Sequence, residues 1–150
     1  MDITGSETIL APVDAVWRAL NDPGLLKQCI PGCEALDWTS DTTLNATLMV
    51  KFGLIKVRFE GTIELSNLKP PHSYTIAAQG KGGLMGFAKG SADVTLTEEG
   101  PDTTALTYLA GGDVGGKIAQ LGSRLVSSVT SKLAEQFFAK LSAKAAESFA

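Results

Sequence analysis

Histidine occurs once and cysteine twice in this 150-residue sequence. The one imidazole, His72, follows Pro70-Pro71 in a turn, so a Ser-His-Asp or Cys-His arrangement would have to be built on a loop residue. One histidine and two cysteines without ligand spacing make no zinc or iron site, and no cofactor is expected. Cys29 and Cys33 bracket C-I-P-G-C, a wider gap than a thioredoxin-like pair, and are expected to be free, partly buried thiols, the alternative being a disulfide or redox role across the Pro31-Gly32 turn. Carboxylates close in sequence, Glu98-Glu99 and Glu60/Glu64, fall in a turn or on the wet face of a strand, where perturbation is small. These absences argue against an enzyme. No basic stretch followed by an apolar leader opens the chain, and no run approaches the roughly 18 to 20 apolar residues that cross a bilayer. The expectation is a cytoplasmic protein. Basic charge is also short: the net charge of −3 argues against nucleic acid as a partner.

The charge is unevenly spread. From position 117 onward, Lys117, Arg124, Lys132, Lys140 and Lys144 face only Glu135 and Glu147, a local +3 that leaves −6 elsewhere. That end is either a docking face for an anionic surface or a solvated helix face.

The pattern in the apolar residues is plainer. A length of 150 residues with 44% hydrophobic content forms one domain, 1–150, with a substantial core. A short strand over ITGSETIL leads to a helix whose Val13, Val16, Trp17 and Leu20 share a face, Trp17 toward the core and Arg18 outward, stopped by Asn21-Asp22-Pro23-Gly24. A second short helix spans about 25–29. Then the period changes to two. Ile55, Val57, Phe59, Gly61, Ile63 and Leu65 alternate with polar residues, as do Leu44, Ala46, Leu48, Val50 and Phe52 before them, making a hairpin that turns at Gly53-Leu54. Further alternation at Tyr74 to Ala78, Gly86 to Leu96 and Leu106 to Ala110, with CEALDWT, brings the number of strands to seven, with no helix between 35 and 115. After that, Ile118, Leu121, Leu125, Val129, Leu133, Phe137, Leu141 and Ala145 form one stripe of a long helix. The fold class is α+β: a seven-stranded curved antiparallel sheet wrapped around a long C-terminal helix, with two short helices after the first strand.

Two glycine-rich stretches bear on function. The inward faces are small at Gly86, Ala88, Gly90 and Ala92, joined by Gly61, Ala78 and Ala46. Either the helix approaches closely there, or an apolar cavity remains, walled by Phe52, Phe59, Tyr74, Ile76, Leu84, Met85, Phe87, Ala88 and the helix residues Leu121, Leu125 and Val129, with Tyr74 or Tyr108 as the polar handle. The stretch GKGGLMGFAKG is expected to be a glycine-bent hairpin whose apolar tip folds back under the helix, the alternative being a lid or a hydrophobic finger. GGDVGGKI, at 111 to 118, satisfies G-x-x-x-x-G-K but carries Ile118 where a magnesium-ligating hydroxyl belongs. With one helix to follow, it is expected to be a hinge of four or five residues, partly at positive φ, with Ile118 a core contact.

In this order the elements resemble the helix-grip fold of the pollen-allergen and lipid-transfer superfamily. GSETILAPVDAVWRALNDP at 5 to 23, CIPGCEAL at 29 to 36, FEGTIEL at 59 to 65, GGDVGGKIAQLGSRLV at 111 to 126 and LAEQFFAKL at 133 to 141 resemble the family of the carbon monoxide dehydrogenase G subunit. The resemblance implies a non-catalytic accessory protein, partnered by the subunits of a molybdenum hydroxylase and helping to recruit that enzyme to the cytoplasmic membrane. Relatives of this kind continue into an apolar tail, whereas this chain stops at Ala150, so the membrane contact expected is peripheral, through the basic helix end. The superfamily's pocket implies a hydrophobic small molecule, such as a quinone or lipid. A recruitment protein with no ligand, and a cyclase- or hydratase-like enzyme of the same superfamily, are the alternatives.

Overall fold

Alternating strands with one apolar face must cover that face, and here one long helix does so together with two short ones. In the computed structural model, which describes residues 2–149, the order is β1 (Asp2–Ile9), α1 (Val13–Leu20), α2 (Pro23–Cys29), β2 (Cys33–Trp38), β3 (Thr43–Phe52), β4 (Ile55–Lys69), β5 (Ser73–Lys81), β6 (Phe87–Gly100), β7 (Thr103–Gly115) and α3 (Ser123–Phe149). The sheet runs β1-β7-β6-β5-β4-β3-β2, every pair antiparallel. Only the link from β1 to β2 crosses the sheet, and α1 and α2 make that crossing. Thr104 Oγ1, fully buried, pins its start by donating to the Ala11 carbonyl at 2.8 Å.

Asp22 both follows α1 and caps α2: its side chain accepts from Gly24 N at 2.9 Å and Leu25 N at 3.3 Å, with Pro23 in the first turn. The helix therefore starts at Pro23, two residues before the expected 25. Cys29 and Cys33 are free thiols, the first fully buried.

Three expectations need correction. The strand β7 continues through Gly111, Gly112 and Gly115, paired with Ser91, Gly90 and Phe87, so most of GGDVGGKI is sheet rather than hinge. The turn itself is Gly116, at φ +78, followed by a 3-10 segment Gly116–Leu121 and Gly122 at φ +102. Ile118 in that segment is fully buried, a core contact as expected. A second 3-10 turn, Gly83–Met85, links β5 to β6 where no helical segment is expected from the sequence. Third, α3 starts at Ser123 and is rotated from the expected stripe. Its buried residues are Val126, Phe138, Leu141, Ser142 and Ala145, whereas Leu125, Val129, Leu133 and Phe137 are half-buried at its flank.

The core divides in two. A large cluster joins α1, α2 and the C-terminal half of α3 to the sheet through Val16, Leu20, Leu44, Leu106 and Leu141. A smaller one, of Val50, Phe52, Val57, Phe59, Ile118 and Val126, closes the end where the β3-β4 and β5-β6 hairpins turn.

Candidate functional site

Between those clusters the concave face carries little side-chain volume. One row across five strands reads Ala46, Gly61, Gly80, Ala88, Val114, and the next reads Leu44, Ile63, Ala78, Gly90, Gly112. Part of the reason is backbone geometry. A Cβ added to Gly61 would run into the Gln79 carbonyl, and one added to Gly112 would lie 2.6 Å from the Lys89 carbonyl oxygen. The sheet bends so sharply here that neighbouring backbone occupies the space of a side chain.

Above these rows α3 presents Thr130, Leu133 and Ala134. Two adjoining hollows of about 270 Å³ each result, sharing Ala78, Ala88, Lys89, Gly90, Val114 and Thr130. One runs toward the hairpin tips along Leu48, Val50, Phe52 and Phe59; the other runs toward β1, past Ile3, Ile76 and Ala110. Together they fall in the range of small-molecule sites, roughly 300 to 1,000 Å³. Ala78 faces inward and is nevertheless exposed, so the space opens to solvent. The walls are apolar apart from Thr130 and the rim residues Thr62, Gln79, Lys89, Ser91 and Asp113. The Thr130 hydroxyl reaches back along its helix to the carbonyls of Val126 at 2.9 Å and Ser127 at 3.2 Å. A larger depression of about 610 Å³ on the sheet's other face is lined by Asp2, Glu64, Gln79, Lys89, Ser91 and Asp113 together with Ala77; it is open and of mixed charge.

The structure brings four of the expected wall residues to the hollow: Phe52 and Phe59 in one lobe, Ile76 in the other and Ala88 in both. Met85, Leu121, Leu125 and Val129 pack against the tip-end cluster beside it and do not line it. Leu84 is 90% exposed and Phe87 47%, so the β5-β6 tip turns outward rather than folding under the helix; Phe87 covers Gly115 on the sheet's outer face. Tyr74 is only 2% exposed, set edge-on to Trp17 with ring centroids 5.4 Å apart. Its hydroxyl has no partner among the described residues, and burial pushes its pKa up. Tyr108 stacks on Phe138 at 4.0 Å over the space left by Gly5. Neither phenol lines the hollow, because each is already packed against another ring. Sequence reasoning passed over Thr130 and Ala134, which lie one position off the apolar stripe. Among the described residues no three His, Cys, Asp or Glu side chains gather to hold a metal ion.

A long helix gripped by a seven-stranded antiparallel sheet, over an open apolar hollow, defines the helix-grip class. Solved structures agree. A conserved protein from Geobacillus kaustophilus is 32% identical over 100% of this chain and 98% of its own, with a TM-score of 0.90. The Zhui aromatase/cyclase of Streptomyces sp. R1128 is 14% identical over 97% and 93%, at 0.69, and norcoclaurine synthase from Thalictrum flavum is 17% identical over 100% and 96%, at 0.67; these two share the fold alone. No curated protein sequence matches the chain. The family model for the G subunit of carbon monoxide dehydrogenase (CoxG) matches residues 5–146, and the chain belongs to that family.

Proposed function

We propose that this protein is a non-catalytic accessory protein of a carbon monoxide dehydrogenase-type molybdenum hydroxylase, holding a hydrophobic small molecule such as a quinone or lipid between sheet and helix. In this reading it works on the cytoplasmic side and helps bring the hydroxylase to the membrane. Family membership supports the association with the hydroxylase. The observation that carries the ligand is the pair of adjoining hollows, walled by Phe52, Phe59, Ile76, Ala88 and Leu133 where a packed core would put side chains. The non-catalytic role is favoured by the groups themselves: His72 is exposed in its turn, and the two tyrosines are engaged in ring packing away from the hollow. No helix among the described residues is long and apolar enough to cross a membrane, so recruitment in this reading is peripheral.

Solvent extraction of the purified protein followed by mass spectrometry tests the ligand, together with titration by quinone and fatty-acid probes. A specific co-purifying lipophile or saturable probe binding is expected. Absence of both refutes the ligand and leaves a recruitment protein with an empty hollow.

A further inference from the structure

The end of the sheet where the hairpins turn combines two features that a solvated surface does not need. Large apolar side chains stand in water there: Leu54 at the β3-β4 tip is 103% exposed, Leu84 at the β5-β6 tip 90%, Phe87 47% and Ile55 38%. Beside Leu54, Lys51 and Lys56 are direct cross-strand partners, and neither has an ion-pair partner among the described residues. Like charges placed opposite one another destabilise a sheet. The same end carries exposed Lys117 and Arg124. Arg58, Lys81 and Lys89 are matched there by Glu34, Glu60 and Asp113. Counted on the sheet and the start of α3, down to the cross-strand row that holds Asp2 and Glu64, seven basic residues meet five acidic ones. The local charge is +2 in a chain of −3, leaving −5 elsewhere. At the opposite end, Asp37, Asp41, Glu98, Glu99 and Asp102 outnumber Lys69.

We infer that this end docks on a lipid bilayer containing anionic phospholipid, with Leu54, Leu84 and Phe87 entering the interface and Lys51, Lys56 and Lys117 meeting the headgroups. The acidic end then points away. Apolar tips ringed by lysine are complementary to such a surface in both respects, and the phosphates relieve the Lys51/Lys56 repulsion. This rests on the recruitment reading and narrows its contact point: of the basic stretch from 117 onward only the start, with Lys117, makes the contact, joined by the hairpin tips, and Lys132, Lys140 and Lys144 take no part. The tip-end cluster supplies Val50, Phe52 and Phe59 to the hollow, so docking brings that wall of the hollow to the lipid.

The test is co-sedimentation of the full chain with vesicles of phosphatidylcholine alone and of phosphatidylcholine mixed with phosphatidylglycerol, at low and high salt. Binding to the anionic vesicles that weakens with salt is expected, with a loss of about tenfold or more in Leu54→Ser/Leu84→Ser and in Lys51→Gln/Lys56→Gln. All four positions are exposed, so the loss comes without a fall in melting temperature, and Lys51→Gln/Lys56→Gln, relieved of its repulsion, melts at the wild-type temperature or slightly above. Wild-type affinity in both variants, with loss in Lys132→Gln/Lys140→Gln/Lys144→Gln instead, overturns the surface and keeps peripheral recruitment. No binding to either vesicle overturns the bilayer contact altogether, while the extraction experiment judges the ligand separately. Concentration-dependent dimers abolished by the leucine substitutions, without vesicle binding, reassign the surface to a second copy of the chain and overturn the proposal.

Discussion

The hollow makes an unusual demand on mutagenesis: enlarging a side chain inside it should stabilise the protein. Ala134 faces one lobe from α3, half-buried, whereas Ala145 lies about three turns further along the same helix at 0% exposure in the large cluster. Replacing Ala134 by Leu adds three carbons, about 2.4 kcal/mol of burial at about 0.8 kcal/mol each. Fixing the leucine rotamer costs about 0.5 to 1 kcal/mol. The lower helix propensity of leucine removes a few tenths more. A net gain of about 1 to 1.5 kcal/mol remains, which for a chain of this size raises the melting temperature by roughly 2 to 6 °C. The same change at Ala145 overpacks a filled core and should cost about 1 to 3 kcal/mol.

Both variants are measured by calorimetry and urea unfolding on delipidated protein, with the slope of the urea transition compared to confirm that each unfolds in the same way. A fluorescent fatty-acid or quinone probe then reports on the site. Ala134→Leu should bind it about tenfold more weakly despite being the more stable protein, because burial energy of that same size must be given up to readmit the probe. If Ala134→Leu is destabilised like Ala145→Leu, the space is filled in solution and the hollow is no site.

Other perturbations probe the packing around the site. Tyr74→Phe removes a hydroxyl that is buried without a partner and should leave stability unchanged or raise it by about 1 kcal/mol; a loss of that size on urea unfolding would mean the hydroxyl is engaged. With the folded pKa of Tyr74 raised above the usual 10.0, its contribution is complete below about pH 10 and is lost as pH rises further, so absorbance should show Tyr108, also raised but less enclosed, ionising first. Glu34 has the opposite sign: the Arg58 guanidinium, bonded at 2.7 Å, holds its carboxyl below 4.5, so Glu34→Gln should flatten the stability profile only where pH falls through that range, and less so in high salt. Gly112→Ala should cost about 1 to 3 kcal/mol in thermal unfolding, since its Cβ would meet the Lys89 carbonyl, and equal stability would show that the bend can relax.

Strand positions were legible because a period of two assigns every residue to a face without ambiguity once one buried face is found. Helix α3 gave no such certainty. A period of 3.6 leaves two adjacent rows, 125-129-133-137 and 126-130-134-138, and the first contains Leu, Val, Leu and Phe while the second is interrupted by Thr130 and Ala134. Hydrophobicity selects the first row, but the buried residues include Val126 and Phe138 of the second, with Thr130 and Ala134 turned to the hollow. Leu84 misled for a related reason: an apolar residue between glycines argues for burial, and only the placement of Met85 against the tip-end cluster shows that its neighbour is left outside. The two tyrosines were sound as core residues and wrong as cavity walls, since nothing in the chain order foretells that Trp17 would cover one and Phe138 the other.

That difference between helix and sheet also indicates where the site is encoded. Gly61 and Gly112 are dictated by the bend, because backbone occupies the position of their side chains, so the glycines would be needed whether or not anything binds. No such constraint acts on α3. Its backbone tolerates leucine at any interior position, and it carries larger residues, Val126 and Phe138, on either side of the gap. Thr130 and Ala134 are therefore the residues whose smallness the fold does not require. A sheet bent by glycine and covered by a helix with leucine at those two positions would be a closed core. The open hollow depends on the helix side of the contact, and substitutions there change the site without disturbing the bend that supports it.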